Sequence, residues 1–574
     1  MPAVLDASAQ GLAAALDRLR DEDALGQLLE RRGRMAELAT EDGDVKLDWV
    51  DAVARALDDG AALAGVEALA AEIAAGADHL VWSGMGGSVQ TVHALAGAGL
   101  LAGARPAVRA LDSTDPGALN RVVAAVAASG GLAAGLGRTA MVGVSMGMTS
   151  EEPVTHLEWF DVLLREHRVA RPDRHVVVMT LPGSSLDRFA GARGMRRVDL
   201  QLDGASHTPG RMSAPATRVF LLPAALALGG AGLRGVLERC HAETCLSRSL
   251  DAAGRDALAA RDPFVRLAAW LHAQLAGGRD MLLLDLPERW RALGPWVEQV
   301  VEESLGKGGR GLLVFHGQDP AGAAGWPDRH AVLRVDEGGP GPRAPARPEA
   351  TLRLGVAADL AGRLAAAARF FLGWELTVAL LGYLQGITFA GQPAVEAYKR
   401  HARELRTAEG PLPRPPADVA IAGGGSDAGA ELAAAVRSAL ARDGLAYLDL
   451  TINADPDDPA WQPARAEALR LGNRVLGRPV KLRWGPRDYH STEQSETDGP
   501  PGVLSLRVLV RRPEPVTAGD YPARFLHAQA LGTLRAMREA GRPALLAELQ
   551  DAGEAPLLAA ALRRAAELLG DRRS

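Results

Sequence analysis

Short apolar runs alternate with longer segments of helical periodicity over much of the chain. The runs lie at 79–83, 106–111, 139–145, 175–180 and 198–202, and turns rich in Gly, Ser or Asp follow several of them. The segments between the runs suit helices. Strands that alternate with helices in this way predict a doubly wound α/β unit with a parallel sheet.

The same alternation returns twice further along the chain. The later runs share a short length and an apolar composition, and they lie at 281–286, 312–315, 419–422, 447–452, 479–483 and 503–510. The first two predict a second α/β unit, and the last four predict a third.

Two regions have helical spacing without strands between them. Residues 1–75 place apolar side chains such as Leu12, Leu16 and Leu19 at helical intervals, which predicts a helical packing layer. Residues 359–384 are hydrophobic nearly all round, which predicts a buried helix.

Proline and glycine mark the divisions between these parts. The clearest boundary is the Pro-rich stretch 410–416. We therefore expect an N-terminal helical segment at 1–75, two α/β units at 76–240 and 241–410, and a C-terminal α/β unit at 411–574.

Composition excludes several classes of partner. The 574 residues are 47% hydrophobic and 23% charged, as in an ordinary globular protein. A net charge of −6 gives no reason to expect nucleic acid or an anionic membrane surface, and no apolar run is free enough of charge to span a bilayer. The N-terminus lacks a secretory signal, and two cysteines, Cys240 and Cys245, suit a reducing compartment. We expect a cytoplasmic protein.

Lysine is rare in this chain. Of 64 basic residues only four are Lys, namely Lys46, Lys307, Lys399 and Lys481. Each could mark a position where the planar guanidinium of Arg would not serve, and chance retention is the alternative.

The turn after the first strand carries the first candidate site. It reads Gly84-Met85-Gly86-Gly87-Ser88 and precedes a predicted helix. The glycines let the backbone approach a ligand, the helix directs free N–H groups at the turn, and Ser88 adds a hydroxyl. This pattern favours an anion, most often a phosphate. It matches neither the Lys-containing phosphate loop nor the dinucleotide fingerprint, so a tight turn without a ligand is the alternative.

A second hydroxyl-rich turn follows the third strand. Ser145, Thr149 and Ser150 lie in it, just before the next predicted helix. Ligands of doubly wound sheets bind at the carboxyl ends of strands where the strand order reverses, so both turns could hold one phosphate. Simple helix capping by Ser and Thr is the alternative.

Three further residues are candidates for chemistry. Arg211 stands in a Gly/Ser loop and could stabilise negative charge on a substrate, although a solvated loop Arg is common. Glu303 near a helix end could be a base or a solvated carboxylate, and His490 in a polar loop could be catalytic or solvated. No cluster of metal ligands is visible.

Together these segments resemble the glucose-6-phosphate isomerase superfamily, which is built on paired sugar isomerase (SIS) domains. The segments similar to its motifs are Gly84–Ser88, Asp112–Pro116, Gly210–Ser213, Glu303–Lys307, Gln392–Lys399 and His490–Gln494. The branch resembled is the isomerase half of bacterial transaldolase–isomerase fusion proteins, which also has the third unit. The resemblance covers most of the chain and implies two SIS domains plus a C-terminal α/β unit.

The chain departs from that pattern in its second phosphate loop. The family reads close to Ser-Lys-Ser-Gly-Thr-Thr-x-Glu, whereas here Met146 replaces the Lys and Gly147 replaces a hydroxyl residue. In the His loop, Glu493 replaces Gly, and the basic run after it has become acidic at 495–500. These changes weaken phosphate binding and leave the identity of the sugar open.

The resemblance implies an aldose–ketose isomerase that interconverts glucose 6-phosphate and fructose 6-phosphate through a cis-enediol. Glu303 would be the base, Arg211 would stabilise the enediolate, and Lys399 and His490 would assist ring opening. The residues that would bind the phosphate are Gly86, Gly87, Ser88, Ser145, Thr149 and Ser150.

The same resemblance implies no metal or organic cofactor, a sugar phosphate as partner and a homodimer. Two alternatives stay open: an isomerase of a different sugar or sugar phosphate, and a catalytically inactive sugar-phosphate-binding protein on the same fold.

Overall fold

The structure is a computed structural model. It describes residues 3–148, 150–203, 215–318, 326–337, 349–413, 415–421, 427–442, 444–490 and 493–570. Its strands are β1 (Val4–Ala7), β2 (Thr40–Glu41), β3 (Asp44–Val45), β4 (His79–Ser83), β5 (Ala107–Leu111), β6 (Thr139–Ser145), β7 (Val176–Thr180), β8 (Arg196–Asp199), β9 (Met281–Asp285), β10 (Leu313–His316), β11 (His330–Asp336), β12 (Ala350–Arg353), β13 (Val419–Ala420), β14 (Tyr447–Asn453), β15 (Val480–Gly485), β16 (Val503–Val510) and β17 (Ala544–Leu549).

The helices surround these strands. They are α1 (Leu12–Asp21), α2 (Ala24–Glu30), α3 (Gly33–Leu38), α4 (Ala52–Asp58), α5 (Gly60–Gly76), α6 (Gly87–Gly97), α7 (Pro116–Ala127), α8 (Leu132–Leu136), α9 (Glu152–Glu166), α10 (Ser185–Ala192), α11 (Arg218–Ala227), α12 (Leu233–Thr244), α13 (Ala252–Arg261), α14 (Pro263–Ala276), α15 (Gly294–Leu305), α16 (Leu360–Gln385), α17 (Pro393–Thr407), α18 (Ala428–Arg442), α19 (Gln462–Leu469), α20 (Glu493–Asp498), α21 (Arg524–Glu539) and α22 (Ala555–Gly570).

The first α/β unit is a five-stranded parallel sheet in the order β5-β4-β6-β7-β8. The strand order reverses between β4 and β6, which lie side by side although β5 comes between them in the chain. Their carboxyl ends therefore form the crevice where doubly wound sheets bind ligands. The predicted doubly wound α/β fold is confirmed here.

The second sheet has the order β1-β12-β11-β9-β10. Strands β9 to β12 are parallel, and β1 joins the edge antiparallel to β12. The N-terminal segment expected to be helical thus also contains a strand, as well as the small β2–β3 hairpin. A strand of only four residues gives little periodic signal, and its pairing is decided by its docking on β12.

The third sheet, β13-β17-β16-β14-β15, is parallel throughout. It confirms the α/β character predicted for the C-terminal unit. Apolar side chains of β9 and β10, including Leu283 and Phe315, share a core with Tyr447 and Leu509 of this sheet. The third unit is therefore packed against the second rather than tethered to it.

Helix α16 lies at the centre of the largest core. In the described part of the chain it is the single helix long and apolar enough to cross a membrane, and its apolar window is wholly buried within the protein. The ring centroids of Phe371 in α16 and Trp296 in α15 are 4.4 Å apart. The predicted buried helix is confirmed.

Buried ion pairs join the third unit to α15. The Lys481 ammonium on β15 donates to Glu298 Oε1 at 2.6 Å and to the Glu302 carboxylate, and it also donates to the Val314 carbonyl at 3.1 Å. The side chain of Lys481 is 1% exposed, so this network is shielded from water. It fixes the helix that carries Glu303.

We expect the variant Lys481→Met to lower the free energy of unfolding by about 3–5 kcal/mol, because two buried carboxylates lose the nearer of the two cations they share and keep only the more distant Arg483. Chemical denaturation measures this change. The matched control is Arg138→Met, which breaks a half-exposed pair with Asp78 and should change the free energy of unfolding far less. Equal losses in the two variants would contradict the structural role given to Lys481.

Candidate functional site

A cavity of about 340 Å³ lies where the three α/β units meet the N-terminal hairpin. Its volume is at the lower end of the range for small-molecule sites. It is lined by residues of every unit: Glu41, Asp42, Lys46, Trp49, Met85, Gly86, Gly87, Ser88, Met146, Gly147, Met148, Ser150, Gln299, Val300, Glu303, Ser304, Glu375, Val378, Phe389, Ala390, Gln392, Glu396, Lys399 and His490.

Gly86 lies at a point where the three units approach one another closely. Its backbone has φ 55° and ψ −133°, a conformation that glycine adopts readily and other residues avoid. A Cβ atom there would lie 3.0 Å from Gln299 Nε2 and 3.0 Å from the His490 carbonyl oxygen. Glycine is therefore required both by the turn and by its neighbours.

The glycine turn and the second hydroxyl-rich turn are joined through Ser88. The Met146 N–H donates to Ser88 Oγ at 3.2 Å, across the gap between β4 and β6. Gly86, Gly87, Ser88 and Ser150 all line the cavity. The structure thus brings together four of the six residues expected to bind a phosphate.

Ser145 and Thr149 are the other two residues that we expected to bind the phosphate. The Ser145 hydroxyl donates to the Gly147 carbonyl at 2.8 Å, so it closes its own turn and does not line the cavity. Thr149 lies outside the described residues, as does Arg211.

Glu303 is held in the cavity wall by its own helix. Gln299, one turn earlier in α15, donates from Nε2 to Glu303 Oε2 at 3.0 Å. The same amide nitrogen donates to the His490 carbonyl at 3.1 Å. Glu303 is 4% exposed and faces a pocket rather than bulk water, unlike a solvated helix-end carboxylate.

His490 lines the cavity of its own chain. Its Nε2 lies 2.6 Å from Glu152 Oε1, and Gln529 Nε2 also donates to that oxygen at 2.7 Å. Burial tends to raise the pKa of the Glu152 carboxyl, but the charge of protonated His490 and the hydrogen bonds outweigh burial and lower the pKa to about 2. The pair sets the orientation of the His490 ring.

The turn before His490 is anchored to the first unit. Arg487 binds the Asp112 carboxylate through two hydrogen bonds, of 2.6 and 2.9 Å. His93 Nε2 lies 2.8 Å from the same carboxylate. Burial opposes ionisation of Asp112, yet Arg487 and His93 together hold the pKa of this carboxyl well below its usual range.

The lysines occupy structural and cavity positions. Lys399 lines the cavity and donates to Glu396 at 2.7 Å, and Lys46 lines it from the N-terminal hairpin, 3.3 Å from Asp44. Lys307 donates to the carbonyls of Thr388 and Ala390, both at 2.7 Å. With Lys481 buried, none of the four is a simple surface cation.

Sequence reasoning missed four polar residues of the site: Lys46, Glu152, Gln299 and Glu375. Two signals in the sequence could have been used. Gln299 lies one turn before Glu303, and Glu152 lies at the start of α9. Glu375 offered no local signal, and the rarity of lysine singled out Lys46 without indicating its place, because long-range packing brings both residues to the cavity. The described residues contain no group of three or more His, Cys, Asp or Glu side chains that could hold a metal ion.

The fold and the cavity together define a doubly wound α/β protein with a small-molecule site at the strand-order reversal. A solved structure of the same fold is a hypothetical protein from Thermus thermophilus. It has a TM-score of 0.55 and 21% identity, and the match covers 71% of this chain and 100% of that one. At this level of identity the likeness concerns the fold alone.

Sequence comparison gives named relatives. The chain is 31% identical to glucose-6-phosphate isomerase of Synechococcus sp. strain JA-3-3Ab over 261 residues, 44% of this chain and 45% of that protein. It is 33% identical to glucose-6-phosphate isomerase of Geobacter sulfurreducens over 230 residues, 39% of each. The matched segments therefore span less than half the length of each of these two relatives. No protein-family profile matches it.

We expect Gly86→Ala to cost roughly 2–4 kcal/mol of unfolding free energy, because backbone strain adds to the contacts with Gln299 and His490. Gly99→Ala is the matched control, since Gly99 has φ +70° but open space around its Cβ position. It should cost roughly 1–2 kcal/mol. Denaturation curves compare the two, and a smaller loss at Gly86 than at Gly99 would refute the close approach.

We also expect an acid-dependent stabilisation by Glu152. The pKa is about 2 in the folded protein and 4.5 ordinarily, so the contribution is complete above pH 4.5 and is lost as the pH falls towards 2. The shift corresponds to about 3 kcal/mol.

The measurement is the difference in unfolding free energy between the unmodified protein and Glu152→Gln at pH 7 and at pH 3. The difference should shrink by about 2 kcal/mol at pH 3. Glu158→Gln, at an exposed position, is the control and should show no such change. A difference that does not depend on pH would rule out the shift.

Proposed function

We propose that the protein is an aldose–ketose isomerase that interconverts glucose 6-phosphate and fructose 6-phosphate. The observation that carries the proposal is the position of Glu303, a buried carboxylate oriented by Gln299 in the same cavity as the Gly86–Ser88 turn. The similarity to proteins named glucose-6-phosphate isomerase supports it.

In this proposal the Gly86–Ser88 turn and Ser150 bind the phosphate of the substrate. The turn offers small residues, a hydroxyl and the N-terminus of α6, which together suit an anion. Binding of the phosphate, remote from the reacting carbons, orients C1 and C2 against Glu303. Such positioning lowers the barrier because the reacting groups need not find each other in solution.

Glu303 acts as the base. Its carboxylate takes the proton from C2 of the open-chain aldose, the C2–H electron pair forms the C1–C2 double bond, and the negative charge passes to the oxygen at C1. The proton of the C2 hydroxyl moves to that oxygen, and C1 of the cis-enediolate takes the proton back from Glu303 as the C2 oxygen becomes a carbonyl. Arg211, outside the described residues, is proposed to stabilise the negative charge of the intermediate.

Ring opening requires a proton to move between the ring oxygen and the hydroxyl at the anomeric carbon. His490 and Lys399 are proposed for this transfer. Both line the cavity, and Glu152 holds His490 through the 2.6 Å contact. An imidazole ring can accept a proton at one nitrogen and donate one from the other while the ring stays in place.

The remaining expectations are part of the same proposal. The partner is a sugar phosphate, the location is cytoplasmic, and the assembly is a homodimer. No metal or organic cofactor takes part, since both proton transfers use side chains of the chain itself.

A second candidate is an isomerase of another sugar phosphate. Three residues of the second turn line the cavity, namely Met146, Gly147 and Met148. Two thioethers there give a less polar wall than hydroxyls would, so this part of the site could suit a different ligand shape.

We expect Glu303→Gln to lower turnover of fructose 6-phosphate by roughly 10²–10⁴-fold, because the amide cannot accept the proton. A coupled assay that measures glucose 6-phosphate formed tests this. Glu288→Gln, at a surface position, is the control and should keep full turnover.

Two other results would change the proposal. Absence of turnover in the unmodified protein, with fructose 6-phosphate still raising its melting temperature, would indicate a sensor. Absence of both effects, with turnover of another sugar phosphate in a substrate panel, would favour the second candidate.

A further inference from the structure

Helix α16 places on the cavity wall a carboxyl group that the proposed reaction does not use. Glu375 lies in the middle of this helix and is only 5% exposed. Neither of its carboxyl oxygens has a hydrogen-bond partner in the part of the chain that the structure describes. Because Glu375 borders the cavity, a bound ligand is a candidate for the missing partner.

The surroundings of Glu375 disfavour its charged form. Burial, with a smaller contribution from the Asp48 carboxylate, raises the pKa of Glu375 well above its ordinary value. A protonated carboxylic acid offers one O–H donor and retains acceptor capacity. It therefore matches a hydroxyl group, which also donates and accepts, better than it matches an anion.

The cost of this arrangement supports a role in binding. A buried polar group without a partner destabilises a folded protein, and an apolar side chain of similar size would remove that cost. The neighbouring cavity residues Trp49, Val378 and Phe389 supply an apolar wall in which a hydrogen bond to a ligand is well shielded from water.

We infer that Glu375 is a specificity-determining residue that exchanges hydrogen bonds with a hydroxyl group of the bound sugar. This inference rests on the proposed function. It assigns to α16 the recognition of the hydroxyl-bearing part of the substrate, while the Gly86–Ser88 turn recognises the phosphate.

The test compares Glu375→Met with Glu375→Gln in the full chain. Met fills the volume without a polar group, whereas Gln keeps one donor and one acceptor. Melting temperature is measured without ligand, and calorimetry measures affinity for fructose 6-phosphate and for inorganic phosphate.

We expect Glu375→Met to melt at a higher temperature than the unmodified protein and yet to bind fructose 6-phosphate at least about tenfold more weakly. Its affinity for inorganic phosphate should be unchanged, because the proposal assigns phosphate to the Gly86–Ser88 turn and not to Glu375. Glu375→Gln should stay within about threefold of the unmodified affinity for the sugar phosphate.

The failures of the two proposals are distinguishable. If all three proteins bind fructose 6-phosphate equally well, the role of Glu375 is overturned while the proposed function stands. If Glu375→Met loses inorganic phosphate to the same degree as the sugar phosphate, Glu375 has a structural role and the inference fails. If the unmodified protein neither binds fructose 6-phosphate nor turns it over, both proposals fail.

Discussion

The site depends on the close approach of backbone at Gly86. Three sheets contribute to one cavity, and at this point no side chain fits between the first unit, Gln299 of the second and the His490 backbone of the third. The reversal of strand order between β4 and β6 creates the crevice, and the glycine allows the other two units to close over it. The Gln299 amide then binds both Glu303 and the His490 carbonyl, so the candidate base and the candidate proton shuttle share one support.

Charged groups that do not line the cavity hold the three units together around it. Lys481 fixes α15 to the third sheet, and Arg487 fixes the turn before His490 to Asp112 of the first unit. Ion pairs of this kind need partners with matched geometry, since a buried charge without a partner is costly. They therefore restrict the relative placement of the units more than apolar packing alone would. The segments held in this way are α15, which carries Glu303, and the turn before His490.

The motifs that resemble glucose-6-phosphate isomerases divide into residues that line the cavity and residues that support its wall. In the Glu303–Lys307 segment, Glu303 and Ser304 line the cavity, while Lys307 holds the backbone at Thr388 and Ala390. In the second turn, Ser145 closes the turn itself and the Met146 N–H donates to Ser88 Oγ. A motif position thus indicates proximity to the site, but only the contacts separate a ligand-binding role from a supporting one.

The sequence by itself determined the alternating α/β pattern, the buried helix α16, the glycine turn and the chemical character of Glu303, Lys399 and His490. These are local properties, because periodicity and turn chemistry involve neighbours in the chain. It gave no sign of β1 at the edge of a distant sheet, of the hairpin that brings Lys46 and Trp49 to the cavity, or of the carboxyl of Glu375. Only the tertiary structure decided these features, because each arises from a contact between segments far apart in the chain. The pairing of His490 with Glu152 likewise joins residues 338 positions apart.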